Sequence, residues 1–572
     1  MFLPTTPQEL ESLGWERPDV ILVTGDAYID SPHIGVALIG KYLLKQGFKT
    51  ALIAQPATAR GDDIQRLGEP RLFWGVTAGS IDSLVANYTA LKKFRQHDDY
   101  TPGGINKRPN RAAIVYTNLI RQYFKNTRPI ILGGIEASLR RIAHYDYWDD
   151  AVRRSILFDA KADLLAYGMA EKTVLDLAQA LSEGRDWRQV PGICYVSKTP
   201  EGNNIPLPSF EDVSTDKQAF RLMSALFAKH TGQRARGFVQ KHGDRFLIHN
   251  PAPPPLSTAE LDEIYDLDFE RDAHPYYKTG EIRALETIKQ SLTSHRGCFG
   301  QCNFCAIALH QGRRVVSRSP ASILKEALRI KKKPGFNGII YDVGGPTANM
   351  FGTACRKGWA CQDKHCLMPK PCPNLSFGHQ AQIELLQRLR DIPGIKKVCL
   401  SSGIRSDLVI ADKAYGKHYI ERLARHHVSG QIKLAPEHSE PEVLALMNKP
   451  APPSLLEFKA LFHKACAASG QRLFMTYYLM AAHPGCTSRH MQRLKDFLSA
   501  ALITTPEQIQ IFTPTPATIS TTLYYCETDM AGKRIFCEKS LAGKEQQNKQ
   551  LLRNIGRRHV TENDCGLQHC GY

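Results

Sequence analysis

Short β-branched segments alternate with helical ones from about residue 290 to residue 520, and this alternation limits the possible folds more than any other feature of the chain. We predict strands at six segments, which read SLTSHRGC, GIIYDVGGP, KKVCLSSG, QIKLAPEH, RLFMTYYLMAAHPG and QIQIFTPTP. We predict helices between them from Pro320 to about Lys332, after Gly378, and near residues 416–427, 453–469 and 488–502. Such alternation predicts a parallel sheet. Six units, against the eight of a TIM barrel, predict an open, partial (β/α)6 barrel with its chemistry at the carboxyl ends of the strands.

The first 195 residues show the same alternation and predict a second α/β domain. The segment DVILVTGD is followed by HIGVALIGKYLLKQGF, whose apolar positions recur at helical spacing. Further strand candidates, each ending in glycine or a polar turn, lie at residues 50–56, 71–79, 128–138 and 162–168. Repeated βα units joined by short loops predict a doubly wound, Rossmann-like domain.

Changes in composition along the 572 residues predict four segments. The Rossmann-like domain covers residues 1–195. Residues 196–285 are rich in proline and acidic residues, and we predict a connecting segment there. The barrel covers residues 286–530, and residues 531–572 form a C-terminal tail.

The composition is that of a soluble globular protein, with 42% hydrophobic and 23% charged residues. No run approaches the roughly 18 apolar residues of a membrane span, and the N-terminus lacks the features of a signal peptide. We therefore expect a cytoplasmic protein without a membrane partner.

Fifteen cysteines are many for a chain without an export signal, and in a reducing compartment clustered thiols are more often metal ligands or catalysts than disulfides. Cys298, Cys302 and Cys305 follow the first barrel strand with the spacing C-x3-C-x2-C. A structural zinc site requires four ligands, and this loop offers three. Three thiolates on a [4Fe–4S] cube leave one iron free to bind a small molecule. The spacing therefore favours an iron–sulfur cluster, with zinc as the alternative.

This three-cysteine motif after the first strand of a partial barrel resembles the signature of the radical S-adenosylmethionine (SAM) enzymes. The resemblance implies that the open iron binds SAM and that one electron splits SAM into methionine and a 5′-deoxyadenosyl radical, which abstracts hydrogen from a substrate. It also implies an electron donor such as flavodoxin or ferredoxin. The alternative is a non-catalytic iron–sulfur or zinc protein that binds RNA.

The wider chain is similar to the YgiQ-type subgroup of that superfamily from residue 1 to about residue 530. The segments that carry this similarity are DVILVTGDAYIDSPHIG, GGIEASLRR, AHYDYWDD, SHRGCFGQCNFCAI, YDVGGPTANM, KLAPEH and AHPGC. The tail differs from the longer basic tail of the subgroup, and we expect a truncated or altered end.

Several radical SAM classes carry an N-terminal cobalamin module, which the Rossmann-like domain resembles. A histidine ligand of cobalamin would lie in D-x-H-x-x-G, but this chain has Asp30 and His33, with the histidine one place late. We therefore do not expect cobalamin, and we interpret His33 as a structural residue.

The resemblance also predicts residues that contact SAM. Gly344 and Gly345 occupy the place of the superfamily's GGE-type motif, with Pro346 where the acid would be. Because glycine has no Cβ, the backbone there can approach the SAM amino group. Glu437 is predicted to accept hydrogen bonds from ribose hydroxyls, and Arg405 to pair with the SAM carboxylate.

Residues 355–372, here called the four-cysteine insert, contain a second group of thiols. The segment reads CRKGWACQDKHCLMPKPC and includes His365; its cysteines are Cys355, Cys361, Cys366 and Cys372. The spacing lacks the C-x2-C pairs of common zinc ribbons, so zinc, a second iron–sulfur cluster and free thiols all remain open.

The formal charge of +18 would attract an anionic partner through a long-range field. Residues 101–130 hold six basic residues and no acid. We therefore predict RNA as a candidate substrate, contacted by Lys107, Arg108 and Arg111, with an unidentified small molecule as the alternative.

Overall fold

The computed structural model describes residues 1–232, 236–358, 361, 365–502, 506 and 509–552. The chain divides into two compact units. The first unit consists of Met1–Lys289, Leu309–Gly312 and Thr515–Cys526, and the second unit consists of Gln290–Ala308, Arg313–Pro514 and the residues from Glu527 onward.

The first unit is built around a sheet. Its strands are β1 (Val20–Thr24), β2 (Thr50–Ala54), β3 (Phe73–Thr77), β4 (Ile130–Leu132), β5 (His144–Asp146), β6 (Ala151–Arg153), β7 (Leu164–Ala166), β8 (Ile193–Ser197), β9 (Ile205–Leu207), β10 (Phe238–His242) and β11 (Arg245–His249). In the described part of the chain, nine of these strands form one sheet in the order β2-β1-β3-β4-β7-β8-β11-β10-β9, and β5 pairs with β6. The first five strands in that order are parallel, and β1 and β2 are fully buried. This doubly wound arrangement confirms the Rossmann-like prediction.

The predicted connecting segment, residues 196–285, contributes to this sheet instead. Strands β10 and β11 form a hairpin that pairs with β8, and β9 adds a parallel edge strand next to β10. Each of these strands has only three to five residues. Strands this short, between proline-rich stretches, give too little periodicity to be recognised in the sequence.

The helices lie between and around the strands. They are α1 (Pro7–Ser12), α2 (Gly35–Lys45), α3 (Asp62–Gln65), α4 (Ser83–Asn87), α5 (Ala112–Tyr123), α6 (Gly134–Leu139), α7 (Ile156–Ala160), α8 (Glu171–Ser182), α9 (Phe210–Thr215), α10 (Lys217–His230), α11 (Thr258–Tyr265), α12 (Arg283–Ile288), α13 (Ile307–His310), α14 (Pro320–Lys332), α15 (Gln380–Arg390), α16 (Ser406–Ala411), α17 (Gly416–Arg422), α18 (Pro441–Met447), α19 (Pro453–Ser469), α20 (Ser488–Phe497), α21 (Ile519–Cys526) and α22 (Leu541–Leu552). Among the described residues, no helix is both long and apolar enough to cross a membrane.

The second unit contains the predicted barrel. Its strands are β12 (Ser291–Thr293), β13 (His295–Arg296), β14 (Val316–Ser317), β15 (Ile339–Ile340), β16 (Asp342–Gly344), β17 (Ala354–Cys355), β18 (Leu375–Ser376), β19 (Lys397–Val398), β20 (Gln431–Glu437), β21 (Phe474–Ala481) and β22 (Gln510–Ile511). Parallel pairing joins β12 to β16, β15 to β19, and β20 to β21 and β22. A parallel bridge from Ile404 to Leu434 links the third barrel position to β20. All six predicted strand positions are occupied, which confirms the partial barrel.

Two barrel helices have the predicted bounds because their ends carry strong local signals. Helix α14 has Ser319 as its N-cap and proline at its first position, and Ser319 Oγ accepts a hydrogen bond from the Ser322 N–H. Helix α19 also begins at a proline and ends before Gly470, which has a φ of 66°. The predicted tail contains α22, and its residues 553–572 lie outside the described residues.

Candidate metal and cofactor site

Cys298, Cys302 and Cys305 lie in one loop after β12 and β13, at the carboxyl end of the first barrel strand. We call residues 298–305 the three-cysteine loop. Its three thiols are half-buried and free of disulfides. Burial raises the pKa of Cys298; the hydroxyl of Thr347, 3.3 Å from its sulfur, lowers this pKa, and the Cys302 thiol raises it. Burial also raises the pKa of Cys305 to about 12, with further contributions from the other two thiols. The three predicted ligands therefore lie within electrostatic range of one another.

Helix α18 holds this loop in place through its C-terminal residues. The Asn303 N–H donates to the carbonyl of Met447 at 2.9 Å, and its side-chain amide donates to the carbonyl of Leu446 at 2.9 Å. Asn448, which follows α18 with a φ of 56°, donates from its side chain to the carbonyl of Gln301 at 2.9 Å. These bonds fix the backbone on either side of Cys302.

Three thiols without disulfides on one loop are a donor set that fits a cluster. A Cβ built on Gly300 would lie 2.9 Å from Arg405 Nη1, 3.1 Å from the Cys298 sulfur and 3.8 Å from the Cys302 sulfur, so glycine lets these groups lie close to the loop backbone. No group of three or more His, Cys, Asp and Glu side chains in the described residues is arranged to hold a single metal ion. A [4Fe–4S] cube requires no such group, because each thiolate binds a different iron at a separate corner.

Arg405 supplies positive charge beside the loop. Its Nε and Nη2 donate to the two carboxylate oxygens of Asp407 at 3.0 and 2.6 Å, which is a bidentate ion pair. Burial opposes its charge, but Asp407 and then the Cys302 and Cys298 thiols raise the pKa of Arg405. We predicted that this guanidinium pairs with the SAM carboxylate. In the structure, two of its N–H groups donate to Asp407, and its positive charge lies within electrostatic range of the Cys302 and Cys298 thiols.

The glycine pair after β16 lies against the first barrel strand. The Gly344 carbonyl accepts hydrogen bonds from the Ser294 N–H at 2.7 Å and the Ser294 hydroxyl at 3.0 Å. A Cβ built on Gly345 would lie 2.6 Å from Cε1 and Nε2 of His295, which is fully buried. Burial lowers the pKa of His295 to about 4, so this ring is neutral at pH 7. Glycine at position 345 is therefore required for its packing against a neutral imidazole.

Glu437 is the last residue of β20 and is buried, with a φ of 66°. Its carboxylate lies 3.8 Å from Lys449 Nζ. Burial raises the pKa of Glu437, and Lys449 lowers it. A carboxylate offers about four lone-pair sites, so one long ion pair leaves acceptors for hydroxyl groups. The predicted ribose-binding residue therefore lies at the carboxyl end of a barrel strand, with acceptor capacity.

A polar pair after β20 and β21 was missed by the sequence analysis. His438 Nε2 lies 3.5 Å from the Cys486 sulfur. His438 Nδ1 accepts hydrogen bonds from the N–H groups of Ser439 and Glu440 at 3.0 and 3.1 Å, so a neutral ring carries its proton on Nε2 and donates to sulfur. Burial lowers the pKa of His438 to about 3 and raises that of Cys486 to about 12. Their positions at strand ends, in LAPEH and AHPGC, were the signal available in the sequence.

The four-cysteine insert also brings its thiols together. Strands β17 and β18 pair so that Cys355 lies opposite Leu375. The Cys372 N–H donates to the Cys366 carbonyl at 2.8 Å. Burial raises the pKa of Cys366 to about 11, and the thiols of Cys355, Cys361 and Cys372 raise it further. These three thiols therefore lie within electrostatic range of Cys366.

Two of the three cations predicted to contact RNA are engaged inside the first unit. The Arg108 side chain is fully buried, and its Nη2 donates to Asp26 at 2.7 Å and Asp98 at 3.0 Å. Arg111 pairs with two aspartates at 2.9 and 2.6 Å. Lys107 is exposed. Of the three, only Lys107 is available to a phosphate without breaking an ion pair.

Comparison with known proteins relates both units to one superfamily. A family model described as radical SAM N-terminal matches residues 2–291, and the radical SAM superfamily model matches residues 292–498. A UPF0313 protein of Fusobacterium nucleatum is 50% identical over 559 residues, which cover 96% of this chain and 98% of that protein. A UPF0313 protein of Thermotoga maritima is 48% identical over 563 residues, with the same coverage.

Solved structures show a similar fold at low identity. The radical SAM methyltransferase TsrM from Kitasatospora setae, with tryptophan and a SAM analogue bound, matches with a TM-score of 0.51 and 14% identity, over 87% of this chain and 75% of that one. The cobalamin-dependent radical SAM enzyme OxsB, with aqua-cobalamin bound, matches with a TM-score of 0.50 and 16% identity, over 91% of this chain and 57% of that one.

These neighbours do not support the expectation that cobalamin is absent, because structures of both hold cobalamin. In a doubly wound sheet, ligands bind at the carboxyl ends of the strands where the strand order reverses, which here is between β1 and β3. Arg108 occupies that crevice, with Asp26 after β1 and the Ala78 carbonyl after β3 as its acceptors. Asp30 pairs with Lys41 at 2.6 Å, and His33 Nδ1 lies 3.3 Å from the Ser31 hydroxyl. Arg108, Asp30 and His33 therefore have partners within the first unit.

Proposed function

Because this chain belongs to the radical SAM superfamily, among the UPF0313 proteins, we propose that it cleaves SAM reductively at a [4Fe–4S] cluster held by Cys298, Cys302 and Cys305. When bound, the cluster supplies the electron that splits SAM into methionine and a 5′-deoxyadenosyl radical. That electron comes from an external donor such as flavodoxin or ferredoxin.

The observation that carries this proposal is the convergence of three free thiols around Gly300 at the carboxyl end of the first barrel strand. Gly300 lets the guanidinium of Arg405 lie close to the thiols, and its positive charge favours thiolate ligation there. The Gly300 N–H also donates to the Cys298 sulfur at 3.3 Å. Hydrogen bonds and charge at the ligand sulfurs are means by which a protein tunes cluster potential.

The proposed SAM contacts lie at the carboxyl ends of the second and fourth barrel strands. The backbone of Gly344 and Gly345 approaches the ligand without a Cβ, while His295 and Ser294 hold that backbone in place. Glu437 accepts hydrogen bonds from the ribose hydroxyls. The positive charge of Arg405 acts on the cluster thiolates, because its Nε and Nη2 already donate to Asp407.

Anaerobic reconstitution with iron and sulfide, followed by reduction in the presence of SAM, tests the proposal. We expect four irons to be bound by the three-cysteine loop, and 5′-deoxyadenosine and methionine to form in equal amounts. Zinc in the loop with no SAM cleavage would overturn the proposal and support the alternative of a non-catalytic RNA-binding protein.

We expect the Glu437→Gln variant to require about 10-fold more SAM for half-maximal cleavage, because one charge-assisted hydrogen bond of about 1.5 kcal/mol is lost. Its cluster absorbance should match that of the wild type, because Glu437 is not a ligand. The matched control is Glu442→Gln, since the Glu442 side chain is 65% exposed. Equal SAM requirements for both variants would remove Glu437 from the binding site.

RNA remains the proposed substrate class, supported by the +18 charge and by a different group of cations. Arg390, Arg422, Arg425 and His426 lie close together, and the three arginines contribute with burial to lowering the pKa of His426 to about 4. Clustered like charges at a surface attract phosphates. RNA binding that weakens steeply with salt, with a smaller slope in Arg422→Ala and Arg425→Ala, would support this substrate class. Salt-independent binding would exclude it.

A further inference from the structure

We propose that the cysteines of the four-cysteine insert form a second metal centre, separate from the three-cysteine loop, in which four thiolates bind a thiophilic metal. The ligands are Cys355, Cys361, Cys366 and Cys372. The metal is that of an iron–sulfur cluster, because no group of three or more His, Cys, Asp and Glu side chains in the described residues is arranged to hold a single ion, whereas each thiolate of a cluster binds a different iron. This inference does not depend on the proposed reaction with SAM.

The backbone of the insert brings the thiols to one place. The β17–β18 hairpin sets Cys355 opposite Leu375, and the Leu375 N–H donates to the Cys372 carbonyl at 2.9 Å. A further bond of 2.8 Å joins the Cys372 N–H to the Cys366 carbonyl. Cys361 is half-buried, as are the other three cysteines. Cys355, Cys366 and Cys372 therefore converge without any disulfide, and Cys361 lies between Cys355 and Cys366 in the sequence.

The insert rests on a hydrophobic core that it shares with the three-cysteine loop. The buried members of this core are Phe299, Met350, Leu367, Leu375 and Leu408, and the thiols packed against it are Cys298, Cys355, Cys366 and Cys372. The Gln301 side-chain amide also donates to the Cys366 sulfur at 3.5 Å. The second centre would therefore lie beside the first one, on the same hydrophobic core.

A metal explains why four thiols are gathered there. Half-buried thiols in such proximity repel one another when ionised, and neutral thiols form only weak hydrogen bonds. A bound cation replaces the protons and turns the repulsion into ligation. Four protein thiolates also fill every corner of a [4Fe–4S] cube, so no position stays open for SAM. The centre is therefore structural or transfers electrons, and does not bind substrate.

The test uses the full chain with Cys298, Cys302 and Cys305 all replaced by alanine, which removes the first cluster. Metal analysis of this variant, purified anaerobically, should find about four irons per chain, together with the visible absorbance of an iron–sulfur cluster. Adding Cys366→Ser or Cys355→Ser should lower that metal content at least about 10-fold. Adding Cys466→Ser, on α19, should leave it unchanged.

Absence of iron above background from the triple variant, while the wild type holds only about four irons, or zinc in place of iron at the insert, would overturn the inference. Circular dichroism and gel filtration of the triple variant establish that the chain is folded, so that loss of metal is not loss of fold. Metal retained at the insert in a wild-type protein that does not cleave SAM would refute the proposed function and leave this second centre standing.

Discussion

Alanine at Cys298, Cys302 or Cys305 is expected to abolish SAM cleavage and to remove the iron and the absorbance of the cluster in the three-cysteine loop. Each thiolate holds one iron corner, and the two that remain cannot retain the cube against loss to solvent. Changes to groups that merely surround a metal cost about 10- to 100-fold, so loss of a ligand should exceed about 100-fold in the rate of 5′-deoxyadenosine formation. Iron content, visible absorbance and product formation measure this together.

Cys399→Ala provides the matched control, because Cys399 is a buried cysteine of the same unit outside both thiol groups. We expect that variant to keep its cluster and its activity, apart from a small loss of stability. A fully loaded cluster in any one of the three loop variants would show that another residue is the ligand. Equal loss in the Cys399 variant would indicate that the assay reports folding rather than ligation.

Local signals in the sequence were sufficient for the barrel and for the thiol groups. Proline at the first helical position and a serine cap fixed the start of α14, because these signals act within one turn. The three cysteines of the loop are separated by only three and two residues, so their proximity follows from the spacing itself. The same holds for the four-cysteine insert, where a single hairpin completes the arrangement.

Contacts between distant residues could not be predicted in the same way. Arg405 was predicted to pair with the SAM carboxylate, and this pairing stays a prediction; the structure adds that its Nε and Nη2 donate to Asp407, a contact that the sequence analysis did not predict. The His438–Cys486 pair joins residues 48 positions apart. Arg108 was assigned to a surface patch because its neighbours in sequence are basic, whereas its partners Asp26 and Asp98 lie 82 and 10 residues away. Pairings of this kind depend on how the strands are ordered in the sheet.

Arg108→Met is expected to destabilise the first unit by about 3–5 kcal/mol, because it leaves two carboxylates buried and without a cation. Asp26 and Asp98 are 1% and 4% exposed at their side chains, so water cannot replace the guanidinium. Burial opposes the charge of Arg108, but these two aspartates raise its pKa, which shows that the ion pairs outweigh desolvation. Methionine keeps a similar stem and so separates the loss of charge from the loss of packing.

Tryptophan fluorescence during urea unfolding can follow this change, because four of the five tryptophans, Trp15, Trp74, Trp148 and Trp187, lie in the first unit. The control is Lys107→Met, an exposed neighbour, which should stay within about 0.5 kcal/mol of the wild type.

Adding Asp26→Asn and Asp98→Asn to Arg108→Met should recover part of the lost stability, because no unpaired charge then remains buried. An unchanged urea midpoint in Arg108→Met would mean that the guanidinium is not buried between the aspartates, and would return this residue to the surface available to RNA. Destabilisation of Arg108→Met, with an unaltered salt dependence of RNA binding in the folded variant, would show that Arg108 is a buried residue at the carboxyl ends of the strands. The same arginine then accounts for the filled crevice between β1 and β3.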